Sequence, residues 1–84
     1  MHETDSKYSS LLICLAENIK AARLRNRLRQ SDMIDFGFSE RFIQKLESGN
    51  YSPNLYTMHR IACALKTPID ELFKKPLHLN DDIN

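Results

Sequence analysis

A chain of 84 residues, 42% apolar and 27% charged, has the makeup of one globular domain, near the lower limit at which a single core can hold a fold. Its longest apolar run, Leu11 to Ala16, is far short of the roughly 20 residues that a membrane span needs. That run follows an acidic, polar start instead of a basic one, so no secretory leader is expected and the chain reads as cytoplasmic, with no membrane partner.

Two Gly and three Pro punctuate the sequence, and helical periodicity between them makes all-α the expected fold class. Residues 1–9 are polar and are expected to be a flexible N-terminal segment, with Ser9 or Ser10 as a helix cap. Leu11, Leu15, Ile19 and Ala22 recur on one face and predict a first helix from Leu11 to about Asn26. Leu12, Ile13 and Cys14 widen that face beyond what one small core needs. A short second helix is expected over Gln30 to Phe36, with Gly37 as its left-handed terminator. Ser39 then caps a third helix that runs to Glu47, and Gly49 ends it. Loop residues follow from Asn50 to Pro53, and Asn54 caps a fourth helix over Leu55 to Leu65. Thr67-Pro68-Ile69-Asp70 sets a cap residue before a proline at the first helical position, which predicts a short fifth helix through Phe73. Pro76 keeps that helix from continuing, so the domain is expected over 10–75 and a flexible tail over 76–84.

Little in this pattern points to bond-making chemistry. Cys14 and Cys63 lack CxxC spacing and read as reduced thiols. The three histidines lie far apart and no HExxH occurs, so no metal site is expected. No P-loop, GxGxxG or GxSxG appears, and neither a cofactor nor enzymatic activity is expected. Charge is more informative. Residues 18–60 carry eight bases against four acids in a chain whose net charge is +1. Lys20, Arg23, Arg25, Arg27 and Arg29 fall in a stretch that holds no acid. Such a stretch is either a solvated helix face whose arginines suit the C-terminal dipole or a surface for polyanions.

The third helix separates into two faces. At 100° per residue, Phe42, Ile43 and Leu46 fall on one side and Glu40, Arg41, Gln44 and Lys45 on the other. The polar side holds groups that match base edges in the major groove: Arg bridges guanine O6 and N7, Gln bridges adenine N6 and N7, and Glu accepts from cytosine N4. A short helix precedes it, joined through Gly37-Phe38-Ser39, the connection that a helix-turn-helix requires.

From Leu15 to Phe73 the chain resembles the lambda-repressor-like (Cro/XRE-type) helix-turn-helix family of bacterial and phage regulators. The resemblance is carried by Ile19 and Arg23, Leu28-Arg29-Gln30, Phe38-Ser39, Ile43 with Leu46-Glu47-Ser48-Gly49, and Ser52-Pro53-Asn54-Leu55. Met58, Arg60-Ile61-Ala62, Ala64-Leu65 and Ile69-Asp70-Glu71-Leu72-Phe73 complete it. It implies a compact five-helix domain in which Glu40, Arg41, Gln44 and Lys45 read bases. Arg29, Gln30, Ser39, Asn50, Tyr51, Ser52 and Asn54 are implied to face phosphate. Arg23 and Glu47 are implied to pair, tying the first helix to the end of the third. The chain departs from the family pattern in three ways. The second helix is one residue short, Arg29 stands where a Ser or Thr cap is usual, and Arg27 and Lys66 stand where glycine commonly ends a helix.

The function this implies is a sequence-specific, double-stranded DNA-binding transcriptional regulator, a repressor or autoregulator, acting as a homodimer on a pseudo-palindromic operator. Candidates for the dimer surface are Tyr56, His59, Cys63, Phe73 and the apolar start of the first helix. Neither a sensor domain nor a small-molecule effector is expected. The competing expectation is a protein-interaction module or antitoxin of the same fold that acts by binding a partner protein.

Overall fold

The computed structural model describes residues 3–75, all-helical and without a strand among the described residues. The first helix spans Glu3–Arg25, the second Gln30–Phe36, the third Glu40–Glu47, the fourth Leu55–Ala64 and the fifth Ile69–Phe73. The second and fifth are 3-10 helices. The expected tail over 76–84 lies outside the described residues.

The first helix departs most from expectation. Residues expected to form a flexible segment are helical from Glu3, and 23 residues at 1.5 Å rise reach about 35 Å. No Gly or Pro interrupts this stretch, and Tyr8 continues the spacing of Leu12 and Leu15 one turn earlier. Burial sets in only at Leu15: Leu15, Ala16, Ile19 and Ala22 enter the core, whereas Tyr8, Leu11 and Ile13 stay largely exposed. The buried half packs against the third and fifth helices, the second packs against the third, and the fourth against the fifth. Met33, Phe38, Ile43, Leu46, Met58, Ile61, Ala62, Ala64, Leu65 and Leu72 form one contiguous core with Leu15, Ile19 and Ala22.

Three helices close with the same hydrogen-bond pattern, in which a left-handed residue lets the chain turn back on the last carbonyls. Gly37 does this for the second helix at φ +88°, with Phe38 N–H donating to Met33 O at 3.2 Å. Arg27 does it for the first at φ +58°, with Leu28 N–H on Arg23 O at 3.1 Å. Lys66 does it for the fourth at φ +53°, with Thr67 N–H on Ala62 O at 3.0 Å. The turns expected from glycine are thus kept where Arg and Lys stand. Asn26 supports two of them, its Nδ2 donating to Ala22 O and to Leu65 O, each at 2.8 Å.

Ser39 and Asn54 cap as expected: Ser39 Oγ accepts from Phe42 N–H at 3.1 Å and Asn54 Oδ1 from Thr57 N–H at 2.8 Å. Thr67 does not. Its hydroxyl donates to Leu65 O at 2.9 Å, and the proline expected at the first helical position is itself the cap residue, so the fifth helix starts at Ile69 with no side-chain cap. That helix is held from outside, by Asn18 Nδ2 donating to Leu72 O at 2.8 Å and also to Lys74 O.

Candidate nucleic-acid interface

Eight residues form the third helix, and its two faces are separated as the spacing requires. Ile43 and Leu46 are buried and Phe42 is half-buried, while Glu40, Arg41, Gln44 and Lys45 are exposed. Gly37, Phe38 and Ser39 lead into it from the second helix. Phe38 is buried and stacks on Phe42 with ring centroids 5.9 Å apart, so the turn is anchored to the helix it introduces.

The end of the third helix is tied down by a buried ion pair. Arg23 Nε donates to Glu47 Oε2 at 2.8 Å and Nη2 to Oε1 at 3.0 Å, with the two side chains 7% and 5% exposed. Nη1 of the same guanidinium donates to Leu28 O at 2.8 Å, which fixes the chain just before the second helix. Gln30 Nε2 adds a third donor to the carboxylate, at 3.1 Å from Oε1. Two charges buried together in this bidentate geometry fix orientation more than they add net stability. Gln30, implied by the resemblance to meet phosphate, has its amide turned inward to Glu47.

Arg29 is paired too. Its Nη2 lies 3.1 Å from Asp32 Oδ1, and its backbone N–H donates to Asp32 Oδ2 at 2.7 Å. Asp32, the third residue of the second helix, thus accepts from the backbone N–H of Arg29 at the cap position, the half of a capping box that needs no acceptor on the side chain of residue 29. The guanidinium hydrogen bond, joined by the backbone N–H, holds the Asp32 carboxyl below the usual carboxylate range. The same bond holds the Arg29 guanidinium above its ordinary value. The Arg29 side chain is 82% exposed, so water screens the pair and it adds little to stability.

The loop after the third helix brings together the remaining residues of the implied set. Ser48 Oγ donates to Lys45 O at 2.7 Å and accepts from Asn50 N–H at 3.2 Å. Tyr51 is half-buried, its ring edge-on to Phe42 at 5.7 Å, and the Lys45 ammonium lies 4.6 Å above its centre. Ser52 is exposed and its hydroxyl meets that of Tyr8, from the first helix. Glu40, Arg41, Gln44, Lys45, Ser39, Asn50, Tyr51, Ser52 and Asn54 thus lie on one helix and its two flanking segments.

Three contributors escape a sequence reading. Arg60, on the fourth helix, donates to Phe36 O at 3.2 Å and lies over the Phe38 ring at 4.4 Å, bracing the turn before the third helix. A Cβ on Gly37 would stand 2.7 Å from the same guanidinium. No local pattern announces that contact across 24 residues. Asp32 was legible as an acid at the third position of a helix, a signal hidden by the arginine in place of a cap. Tyr8 was legible only as the earlier turn of the first helix's apolar face. His59 and Cys63 also stand four residues apart on the fourth helix, with Sγ 3.9 and 4.0 Å from the ring nitrogens. No third ligand-type residue joins them among the described residues. They edge a shallow concavity of about 440 Å³ with Phe36, Tyr56, Arg60 and Lys66.

Among the described residues no helix is long and apolar enough to cross a membrane. No family model, curated protein or solved structure matches the chain.

Proposed function

We propose that this chain is a sequence-specific, double-stranded DNA-binding transcriptional regulator. In this reading it is a lambda-repressor-like (Cro/XRE-type) five-helix domain that uses helix-turn-helix geometry, with the third helix entering the major groove. The observation that carries the reading is the arrangement around that helix. Its four exposed positions hold Glu40, Arg41, Gln44 and Lys45, its other face is locked into the core, and exposed capping residues and loop backbone flank it at both ends. Base-reading side chains need such a rigid support, because a bidentate contact tolerates little misplacement. The basic balance of residues 18–60 supplies the non-specific attraction to phosphate that any such reader uses.

Selection of bound duplexes from a random pool tests the reading. Enrichment of a defined motif supports it, and no enrichment at low salt removes it. Arg41 is the reader assigned to guanine, since it lies in the first turn of the helix and donates two bonds in fixed geometry. Arg41→Ala is expected to cost about 1–3 kcal/mol on the selected site and to relax preference at one position of each half-site.

A second reading, a module of the same fold that acts on a partner protein, is favoured by one observation. The concavity edged by Phe36, Tyr56 and Cys63 leaves Tyr56 69% exposed on a face away from the core. The same surface serves the first reading as a candidate dimer contact. Repression or autoregulation is the mode of action proposed.

A further inference from the structure

Of the four exposed side chains on the third helix, Lys45 is the one held by an aromatic ring. Its ammonium lies 4.6 Å from the centre of the Tyr51 ring. That ring is not free to follow the lysine. It is half-buried and set edge-on against Phe42, with centroids 5.7 Å apart and planes at 79°, and Phe42 stacks in turn on buried Phe38. The lysine backbone is tied to the same loop, because Ser48 Oγ donates to Lys45 O and accepts from Asn50 N–H. A flexible four-carbon side chain is thereby drawn toward the loop between the third and fourth helices. An exposed cation over a ring is held only modestly, so the ring biases the ammonium while leaving it able to meet an anion.

We infer that Tyr51 is a positioning residue for Lys45, holding its ammonium over the loop so that it serves a backbone phosphate and leaves sequence reading to Glu40, Arg41 and Gln44. This rests on the DNA-binding reading above, and it reassigns Lys45 from the base-reading set implied by the resemblance. A phosphate suits a lysine there, since a compact point charge needs no fixed geometry, whereas base discrimination favours a planar fork.

The test compares wild type with Lys45→Ala, Tyr51→Phe, Tyr51→Leu and the Lys45→Ala/Tyr51→Leu double variant on the duplex that wild type selects. Lys45→Ala should leave the selected motif unchanged and make the slope of log K against log salt shallower by about 0.9, the share of one phosphate. Tyr51→Phe keeps the ring and should keep the wild-type salt slope whatever the lost hydroxyl does to affinity, because a neutral hydroxyl on a phosphate releases no counterion. Tyr51→Leu keeps Lys45 but should lose the same slope, and the double variant should lose no more. Without DNA, the Lys45 ε-methylene protons should be shifted upfield by the ring in wild type and Tyr51→Phe. Absence of that shift overturns the positioning role even if Tyr51→Leu fails to fold. A changed preference at one base pair in Lys45→Ala, with the slope intact, makes Lys45 a reader and overturns the inference. A wild-type slope in Tyr51→Leu beside a reduced one in Lys45→Ala does the same for Tyr51. Those results leave the DNA-binding reading standing; a wild-type protein that binds no duplex in a salt-dependent way removes both.

Discussion

Glu47 receives three donors from two segments, Nε and Nη2 of Arg23 and the amide of Gln30, in a setting almost closed to water. Its truncation strands the Arg23 guanidinium, which keeps only the Leu28 carbonyl as an acceptor. Glu47→Ala is therefore expected to destabilise the fold by about 3–5 kcal/mol, measured by denaturant unfolding; a loss below about 1 kcal/mol would mean that water reaches the pair. The exposed pair of Arg29 and Asp32 makes a different, pH-linked contribution. The Asp32 carboxyl titrates lower in the folded chain than in the unfolded one, so its stabilisation is present above the ordinary carboxylate range and is lost as pH falls through the folded value. A carboxyl titration followed by NMR should give Asp32 a midpoint below that of an unperturbed aspartate. Arg29→Ala should raise that midpoint only partway, because the backbone N–H of residue 29 still donates. An Asp32 midpoint at the ordinary value would show the capping contact to be absent. At this scale, sequence alone reached Ser39 and Asn54 as caps, since capping is a local event. The Arg23–Glu47 pairing came only through the resemblance, and the Arg60 contact with the turn came from neither, because both depend on segments brought together by folding.

The elements were legible to the extent that their limits are written in local chemistry. Gln30–Phe36 and the Glu47 end of the third helix follow from Gly37, Ser39 and Gly49, which break or cap whatever the tertiary context. What was not legible is that the second and fifth helices are 3-10, since a helical period over five to seven residues cannot separate 3.0 from 3.6 residues per turn. The start at Glu3 was missed because residues 3–10 have good spacing but a polar composition, and a helix this far beyond its core has little burial to announce it. Left-handed closure by Arg27 and Lys66 is the clearest conflict between sequence and structure, and it has a measurable cost. A residue with a Cβ pays about 1–2 kcal/mol for that conformation, while glycine there adds entropy to the unfolded chain. Arg27→Gly and Lys66→Gly should each stabilise the fold by about 0.5–1 kcal/mol in thermal or denaturant melts. Gly37→Ala should do the reverse, costing about 1–2 kcal/mol at φ +88° and displacing Arg60 from the turn. A destabilised Arg27→Gly would show that the arginine side chain makes a contribution larger than the strain it imposes.

At the scale of the molecule, the proposed function makes a demand that one chain of this size meets poorly. The third helix offers at most four readers, Glu40 repels phosphate unless it meets a cytosine amine, and Lys45 is drawn to the loop. A few bidentate contacts supply only part of the specificity a regulator needs, each discriminating by about 1–3 kcal/mol. Two copies related by a two-fold axis double the contacts. They also make affinity depend on the spacing of half-sites, whose centres then lie about 34–36 Å apart, one turn of duplex. Surface for such pairing exists on the fourth helix, where Tyr56, His59 and Cys63 are exposed beside Phe36, and on the protruding start of the first helix, where Tyr8, Leu11 and Ile13 are uncovered. The expected operator is pseudo-palindromic and bound by two chains. Its salt dependence should be steep, because each neutralised phosphate adds about −0.9 to the slope and both copies bring Lys45 and the loop from Asn50 to Asn54. Sedimentation of the protein with one selected duplex measures the stoichiometry directly. Two chains per duplex on a two-fold motif is the expected result. A complex saturated at one chain, on an asymmetric motif, would overturn the dimer and leave the base-reading role of the third helix intact, since that role depends only on the face a single chain presents.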